Sequence, residues 1–231
     1  MAYNFNKIAK DYDQLNHIMT LGLDRRWRRV GARTACQSHD IRDSQQGIKV
    51  LDVACGTGDM AIELLKRGLD VTGIDLSQEM IEIAKKKTAS VDNHSSTINF
   101  QLADAEALPF DDGTFNAVTC AFGIRNFIHL EEGLREMARV LRHDGCMVIL
   151  ELATPDSLFL RPFYNFYTRR IIPLLGQKIA GNREAYTYLP NSIEHFPKGD
   201  AMLGILERQG LKAIQEKFLF GVCRMYVCKK D

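Results

Sequence analysis

The segment from Val50 to Asp59 constrains the fold of this chain more than any other. Residues Val50–Ala54 are short, apolar and rich in β-branched side chains, which is typical of a strand in the middle of a parallel sheet. Gly56 and Gly58 follow and allow a tight turn, and the apolar residues after them recur at helical spacing. The sequence therefore predicts a strand, a glycine turn and a helix whose first N–H groups face the turn, as in sites for nucleotide-like ligands.

The alternation of strand and helix continues along the chain. Predicted strands are Val50–Ala54, Asp70–Asp75, Ile98–Ala103, Thr114–Phe122 and Cys146–Leu152. Predicted helices are Gly58–Arg67, Gln78–Lys87, Leu130–Leu141 and Gly199–Gln209, with Ser77 as the N-cap of the second. Two final strands, Gly210–Phe220 and Gly221–Lys229, are joined tightly and are expected to be antiparallel. This order predicts an α/β fold with helices on both faces of the sheet.

One domain accounts for residues 1–231. We expect an N-terminal helical cap over 1–47, a ligand-binding core over 48–154, a helical lid over 155–198, and a C-terminal helix with the antiparallel strands over 199–231. Five prolines and many aromatic residues mark the lid. Arginines surround Trp27 in the cap. A solvated helix face explains them slightly better than a face for lipid headgroups or an anionic partner.

Composition excludes several classes of function. A net charge of +1 gives no reason to expect nucleic-acid binding. The six cysteines form no C-x-x-C pair and no histidines cluster near them, so we expect neither a zinc site nor disulfides. The first residues lack an apolar signal core, and no apolar stretch reaches the ~20 residues of a membrane span. These features predict a reduced, cytoplasmic protein.

The residues around the glycine turn narrow the choice of ligand. Asp59 follows Gly58 directly, and a carboxylate there would repel a pyrophosphate but suit a cation. Asp75 ends the second strand, where a carboxylate can accept both hydroxyls of a ribose; capping of the next helix is the alternative. Asp104 and Ala105 follow the third strand and suit an adenine ring, although a solvated loop explains Asp104 equally well.

Several motifs carry a family resemblance. The stretch from Asp104 to Asn116, with its Leu-Pro-Phe, resembles class I S-adenosylmethionine-dependent methyltransferases. Tyr12–Trp27, Ala121–Phe127, Leu134–Leu141 and Ala185–Ile193 resemble the UbiE/MenG C-methyltransferases of quinone biosynthesis. The similarity extends from Phe5 to Lys229. The chain departs from the family pattern at Cys55, Asp24, Ala121 and the segment 142–145, which leaves a paralogue with a shifted substrate open.

The resemblance implies a fold and a cofactor. The fold is the class I methyltransferase Rossmann-like sandwich, with a seven-stranded, mostly parallel sheet and an antiparallel C-terminal strand. The cofactor is S-adenosyl-L-methionine, which leaves as S-adenosyl-L-homocysteine. The expected cofactor-binding residues are Asp52, Gly56, Thr57, Gly58, Asp59, Asp75, Leu76, Asp104, Ala105 and Ala121.

The resemblance also implies C-methylation of a prenylated quinol, with demethylmenaquinol favoured over the benzoquinol precursor of ubiquinone. We expect Arg125 to stabilise a developing phenolate, Asn126 to orient the quinol oxygen and Tyr12 to contact quinol or cofactor. Without the family match, a surface arginine and a helix-capping asparagine would be the better interpretation. His17 is a weaker candidate for a general base, because a lone histidine near an apolar helix is more often structural.

The aromatic residues of the lid allow two interpretations. Phe159, Phe163, Tyr164, Phe166 and Tyr167 either pack on the core or line a channel for a polyprenyl tail, with arginines near lipid headgroups. The second interpretation predicts peripheral membrane contact, and a homodimer is left open. Two other classes of function compete with methylation: a nicotinamide dehydrogenase, which shares the first strand-turn-helix unit, and a non-catalytic scaffold that binds S-adenosylmethionine.

Overall fold

The computed structural model describes residues 12–37, 47–91, 96–174 and 190–230. Parts of the predicted cap and lid therefore lie outside the described residues, as does most of the motif that begins at Ala185. Within the described residues, seven strands form one sheet: β1 (Lys49–Val53), β2 (Asp70–Asp75), β3 (Ile98–Leu102), β4 (Phe115–Ala121), β5 (Leu141–Leu152), β6 (Leu211–Phe218) and β7 (Cys223–Lys230).

The strand order is β3-β2-β1-β4-β5-β7-β6. The first five strands run parallel, and β7 lies antiparallel between β5 and β6. The predicted fold, including the antiparallel C-terminal strands, is confirmed. The strand order reverses between β1 and β4, and a crevice for a ligand opens at such a point beyond the carboxyl ends of the strands.

Helices cover both faces of the sheet. They are α1 (Tyr12–Met19), α2 (Leu23–Gln37), α3 (Asp59–Leu65), α4 (Gln78–Thr88), α5 (Leu130–Val140), α6 (Arg161–Phe166) and α7 (Asp200–Arg208). A 3-10 turn at Ile124–Asn126 follows β4, a π-helical segment at Tyr167–Ile171 continues α6, and residues 190–195 are also helical. No helix in the described part of the chain is both long and apolar enough to cross a bilayer.

The alternation of side chains along β1 builds two cores. Val50 belongs to the apolar cluster beneath α2 and α3, whereas Leu51 and Val53 belong to the cluster beneath α5 and α7. Successive residues of a strand point to opposite faces, so a strand covered on both faces must be apolar throughout. The exception is Asp52, which is fully buried on the face of Val50.

The cap packs on the same face as Val50. Trp27 of α2 is buried against the ring of Phe122, 6.3 Å between ring centroids, and the Arg28 guanidinium lies 4.9 Å from the centre of that ring. Arg25 and Arg26 remain exposed. A solvated helix face therefore describes part of the arginine cluster, but Arg28 belongs to the interior.

The largest difference from the predicted boundaries is at the start of β5. Strand β5 begins at Leu141, where α5 has just ended, and not at Cys146. Leu141 pairs with Phe115 and Cys146 with Ala117, so the residues between Leu141 and Cys146 form an irregularity in the ladder. Periodicity could not reveal these pairings, because Arg142, His143 and Asp144, which lie between them, are polar and exposed.

Gly123 determines how closely the loops after β1 and β4 approach each other. A Cβ on Gly123 would lie 2.6 Å from the Cβ of Ala54. We expect Gly123→Ala to lower the free energy of unfolding by about 1–3 kcal/mol, as overpacking does. Gly204→Ala in α7 is the matched control, because its nearest neighbour is the end of the Arg208 side chain at 3.9 Å. Gly204→Ala should raise the free energy of unfolding by up to about 1 kcal/mol. Urea denaturation measures the stability of both variants, and equal changes in the two would show that Gly123 is not closely packed.

Candidate active site

The glycine turn after β1 has an unusual backbone. Ala54, Gly56 and Gly58 all have positive φ, of 51°, 55° and 87°. A Cβ on Gly58 would also lie 3.2 Å from Ala84 and 3.3 Å from Phe100, so both conformation and space favour glycine there. Such strain at a non-glycine residue persists only where the surroundings hold it, and it concentrates at functional sites.

Asp75 holds the turn in place. One carboxylate oxygen accepts a hydrogen bond from the Gly56 amide at 2.8 Å, and the other accepts from the Ser77 amide at 2.9 Å. Burial raises the pKa of Asp75, although these amide hydrogen bonds oppose the shift. Each oxygen has a second lone pair, so the carboxylate can still accept from ribose hydroxyls. Ser77 accepts from the Met80 amide, which confirms it as the N-cap of α4.

Asp59 lies beside an ammonium group of the protein. The Lys87 Nζ is 2.5 Å from an Asp59 carboxylate oxygen, 2.5 Å from an oxygen of Asp13 and 3.3 Å from the Thr57 hydroxyl. Lys87 on α4 therefore already balances the charge of Asp59, and the predicted cationic ligand at this position stays a prediction. Lys87 and Asp13 are site residues that the sequence did not indicate, because each lies far along the chain from the turn.

Thr57 connects the turn to the cap. Its side chain is buried, and its hydroxyl donates to the Asp13 carboxylate of α1. Helix α1 therefore lies across the glycine turn. The side chain of Tyr12, on the same helix, lies outside the described residues, so its predicted role stays a prediction.

His17 takes part in a second polar cluster of the cap. Its Nδ1 lies 2.8 Å from Asp24, which is buried and also bonds to Thr20 and Arg28. Burial would raise the pKa of Asp24, but the Thr20 hydroxyl and the charges of Arg28 and His17 lower it. His17, Asp24 and Asp59 could offer ligand atoms within 4.8 Å of one another. Arg28 and Lys87 already neutralise the two carboxylates, which disfavours a metal ion there.

Asp52 is a carboxylate without a full set of partners. The Thr119 hydroxyl donates to one oxygen at 2.8 Å, and the other oxygen has no hydrogen-bond partner among the described residues. Burial raises the pKa of Asp52 to about 7.

The remaining predicted cofactor residues lie at the ends of β2, β3 and β4. Leu76 is exposed, Ala105 is buried, and Ala121 is the last residue of β4. Asp104 accepts from the Glu106 amide at 2.9 Å, which fixes its loop. The end of the sheet near the turn thus contains the carboxyl groups of Asp52, Asp59 and Asp75, of which Asp59 is already paired with Lys87.

Arg125 is buried in an ion pair. Its Nη1 lies 2.6 Å from a carboxylate oxygen of Glu151, and only 5% and 1% of the two side chains are exposed. Glu151 also accepts from the Arg125 amide, and the guanidinium donates to the Phe122 carbonyl. Arg125 is therefore not the surface arginine that would be expected without the family match. Its charge is balanced by Glu151. Asn126 follows it in the 3-10 turn and is half-buried.

An apolar cavity of about 150 Å³ lies between cap, lid and sheet. Its lining includes Trp27 of the cap, Leu152 of β5, and Tyr164, Tyr167 and Ile172 of the lid. The sequence alone did not distinguish Tyr164 from the other aromatic residues of the lid. The charges of Arg125 and Glu151 act on it, and burial raises its pKa to about 12, so its phenol stays protonated.

Comparison with known proteins identifies the family. A family model described as the ubiE/COQ5 methyltransferase family matches residues 2–230. The chain belongs to this family. It is 40% identical to a demethylmenaquinone methyltransferase of Bacteroides fragilis, over 98% of this chain and 90% of the relative. It is 38% identical to a ubiquinone/menaquinone biosynthesis C-methyltransferase UbiE of Geotalea uraniireducens, over 98% of this chain and 94% of the relative.

Solved structures agree on the fold of the methyltransferase. A SAM-dependent methyltransferase of Thermotoga maritima has a TM-score of 0.62 at 16% identity, over 99% of this chain and 100% of that chain. Another from Methanosarcina mazei has a TM-score of 0.57 at 18% identity, over 81% of this chain and 94% of that chain. The protein is an S-adenosylmethionine-dependent methyltransferase, and the dehydrogenase alternative is wrong.

The buried pair of Arg125 and Glu151 should be costly to break. Glu151→Gln leaves the guanidinium charge buried without its counter-ion, so we expect the free energy of unfolding to fall by about 3–5 kcal/mol. Glu131→Gln is the matched control, because Glu131 and Arg208 form a pair with more than half of each side chain exposed. Its effect should stay below about 1 kcal/mol. Similar losses in the two variants, measured by urea denaturation, would argue against a buried pair.

Asp52 should make stability depend on pH. Folding raises the pKa of this acid to about 7, so the folded protein holds the proton more tightly than the unfolded chain, whose pKa is about 4. Its contribution to the free energy of unfolding therefore falls as pH rises from about 4 through 7. Relative to wild type, Asp52→Asn should gain stability between pH 5 and pH 8 in chemical denaturation. Asp111→Asn, at an exposed position, should show the same dependence of stability on pH as wild type. If the difference in free energy of unfolding between Asp52→Asn and wild type does not change with pH, the pKa of Asp52 is not raised.

Proposed function

We propose that this methyltransferase transfers the methyl group of S-adenosylmethionine to a ring carbon of a prenylated quinol, with demethylmenaquinol as the first candidate. One observation carries the proposal: the apolar cavity is lined by Tyr164 and by Leu152, whose amide donates to the Glu151 carboxylate of the buried pair with Arg125. The loop of Arg125 also contacts the glycine turn, since Gly123 packs against Ala54. A hydrophobic acceptor and a cationic donor could therefore meet at this place.

The names of the relatives support this substrate class. The Bacteroides fragilis relative is named for demethylmenaquinone, which favours a naphthoquinol ring. The Geotalea uraniireducens relative is named for both ubiquinone and menaquinone biosynthesis, which favours the benzoquinol precursor as the second candidate. The two rings share the features that the cavity would recognise: a flat apolar ring, hydroxyl groups and a greasy tail.

Bound S-adenosylmethionine supplies an electrophilic methyl group. The protein's own residues then have two tasks. Asp75, which already holds the turn, would accept from the ribose hydroxyls, and Asp59, which pairs with Lys87, would lie near the positively charged part of the cofactor. The cavity excludes water from the acceptor, because its described walls are almost entirely apolar.

The acceptor ring must become electron-rich before its carbon can take a methyl group. This requires that a ring hydroxyl lose, or share, its proton. We infer that the protonated Tyr164 donates a hydrogen bond to the developing phenolate and that Asn126 orients the quinol oxygen. Glu151 neutralises Arg125, so we assign Arg125 a positioning role that fixes the loop of Asn126 and orients Tyr164. Tyr12, on α1 across the turn, would contact quinol or cofactor.

A prenylated quinol resides in a membrane. The enzyme must therefore meet its acceptor at a bilayer surface, and we propose peripheral contact with the membrane for that step. The aromatic residues of the lid then divide between two roles. Tyr164 and Tyr167 line the cavity, whereas Phe163 and Phe166 of the same helical segment are exposed and available for membrane contact.

An assay with methyl-labelled S-adenosylmethionine tests the proposal. With short-chain demethylmenaquinol we expect label on the ring carbon, and less or none with the benzoquinol analogue. Tyr164→Phe should lower kcat by about 10²-fold, as loss of one donor to a developing oxyanion does, while S-adenosylhomocysteine binding by calorimetry stays unchanged. Tight cofactor binding with no label on either ring would support a scaffold instead. Unchanged kcat in Tyr164→Phe would remove Tyr164 from the mechanism.

A further inference from the structure

Exposed apolar side chains surround the mouth of the cavity. Leu21, between α1 and α2, and Leu219, after β6, both line the cavity, yet they are 76% and 51% exposed. Phe220 follows Leu219 and is 69% exposed. Large apolar side chains gathered around one opening indicate an interaction surface, unlike scattered ones.

The turn that carries Leu219 and Phe220 is strained. Their φ angles are 47° and 55°, and Gly221 follows with 88°. The left-handed region is unfavourable for a side chain with a Cβ, and only Gly221 adopts it freely. The turn is held by hydrogen bonds from the Val222 amide to the Leu219 carbonyl and from the Asp156 amide to the Phe220 carbonyl. The surroundings thus enforce a conformation that leaves an aromatic ring in solvent.

A second exposed element lies beside this turn. The bond from Asp156 to Phe220 brings the start of the lid to the turn, and Phe159 and Phe163 follow. These two rings contact each other, 5.8 Å between centroids, and are 77% and 66% exposed. Phe166, one turn later, is 62% exposed. Helix α6 buries none of its side chains fully, and it exposes Phe163 and Phe166 beside the polar Asn165.

Arginines flank both groups of apolar residues. Arg25 and Arg26 follow Leu21 by about one helical turn and are exposed. Arg170 follows Phe166 at the same spacing and is also exposed. The OH of Tyr167 lies 3.2 Å from the Ile18 carbonyl, which brings these two ends of cap and lid together. Apolar tips bordered by arginines are typical of proteins that lie on an anionic bilayer.

We propose that the exposed apolar side chains described above insert into an anionic phospholipid bilayer, so that the mouth of the cavity opens onto the membrane. They are Leu21, Phe159, Phe163, Leu219 and Phe220. This inference rests on the proposed function, because a prenylated acceptor gives the cavity a reason to face lipid. The charge of the flanking arginines favours a phospholipid surface over a second copy of this chain, whose own arginines would repel them.

Flotation with vesicles tests the surface. Wild type should bind vesicles of phosphatidylcholine with phosphatidylglycerol, and bind pure phosphatidylcholine vesicles more weakly. Phe220→Asn and Phe163→Gln should each lower the partition coefficient about tenfold, the value of one buried aromatic side chain. Ile214→Thr is the matched control: Ile214 is 70% exposed but lies on β6, outside the ring around the mouth, so it should bind as wild type does.

Phe220→Asn separates docking from damage to the fold. Asparagine tolerates positive φ better than phenylalanine, so this variant should have a higher Tm than wild type while it binds vesicles less well. Methylation of a short-chain, water-soluble quinol should not change, whereas methylation of a long-chain quinol in vesicles should fall.

Three outcomes would overturn the membrane surface. They are equal partition of Phe220→Asn and Ile214→Thr, no dependence on the anionic lipid, or a change of oligomeric state in Phe220→Asn, which would make this face an interface between copies. Absence of ring label with vesicle binding that still depends on Phe220 would instead refute the proposed function and leave the surface standing.

Discussion

Acidic side chains that accept hydrogen bonds from backbone amides hold the functional edge of the sheet together. Asp75 accepts from the glycine turn after β1 and from the residue that precedes α4. Glu151 at the end of β5 accepts from the loop after β4, and Glu106 after β3 accepts from the amides that precede α5. Loops leave N–H groups without partners, and a carboxylate that satisfies two of them fixes two segments at once. The carboxylates that fix the loops at this edge of the sheet also make the edge acidic.

Local patterns in the sequence were sufficient to predict the sheet. Strand β2 has the predicted boundaries, and β1, β3, β4 and the C-terminal pair differ by a few residues at their ends. Apolar runs of strand length, separated by helical periodicity and glycines, leave few alternatives for an α/β chain. The N-cap Ser77 was predictable because capping depends only on neighbouring residues. The start of β5 was not, because its first residues are polar and their pairing is decided by β4.

The positions of the residues around the glycine turn were predictable from the sequence, whereas the surroundings of Arg125 and the cavity were much less so. Asp59 and Asp75 belong to one strand-turn-helix unit and its neighbour, so their positions follow from the fold. Lys87, Glu151 and Tyr164 reach the site from separate elements, and no short spacing connects them to it. Of these three, only Glu151 could have been recognised in the sequence, because it is an acidic residue within the apolar run of β5. An unpaired carboxylate there would be costly, so its position indicates a buried basic partner such as Arg125.

Two environments of opposite character meet at this end of the sheet. Carboxylates gather at the ends of β1 and β2, whereas apolar side chains from cap and lid gather beyond β5. The boundary is the loop after β4, where Phe122 has a φ of 63° and the next residue, Gly123, packs against Ala54, itself at a φ of 51° after the neighbouring strand β1. Two strained non-glycine residues at adjacent strand ends need firm support, and the Glu151–Arg125 pair on one side and Asp75 on the other provide it. A water-filled junction would screen these charges, so the apolar cap over the loop strengthens the same contacts that shape the site.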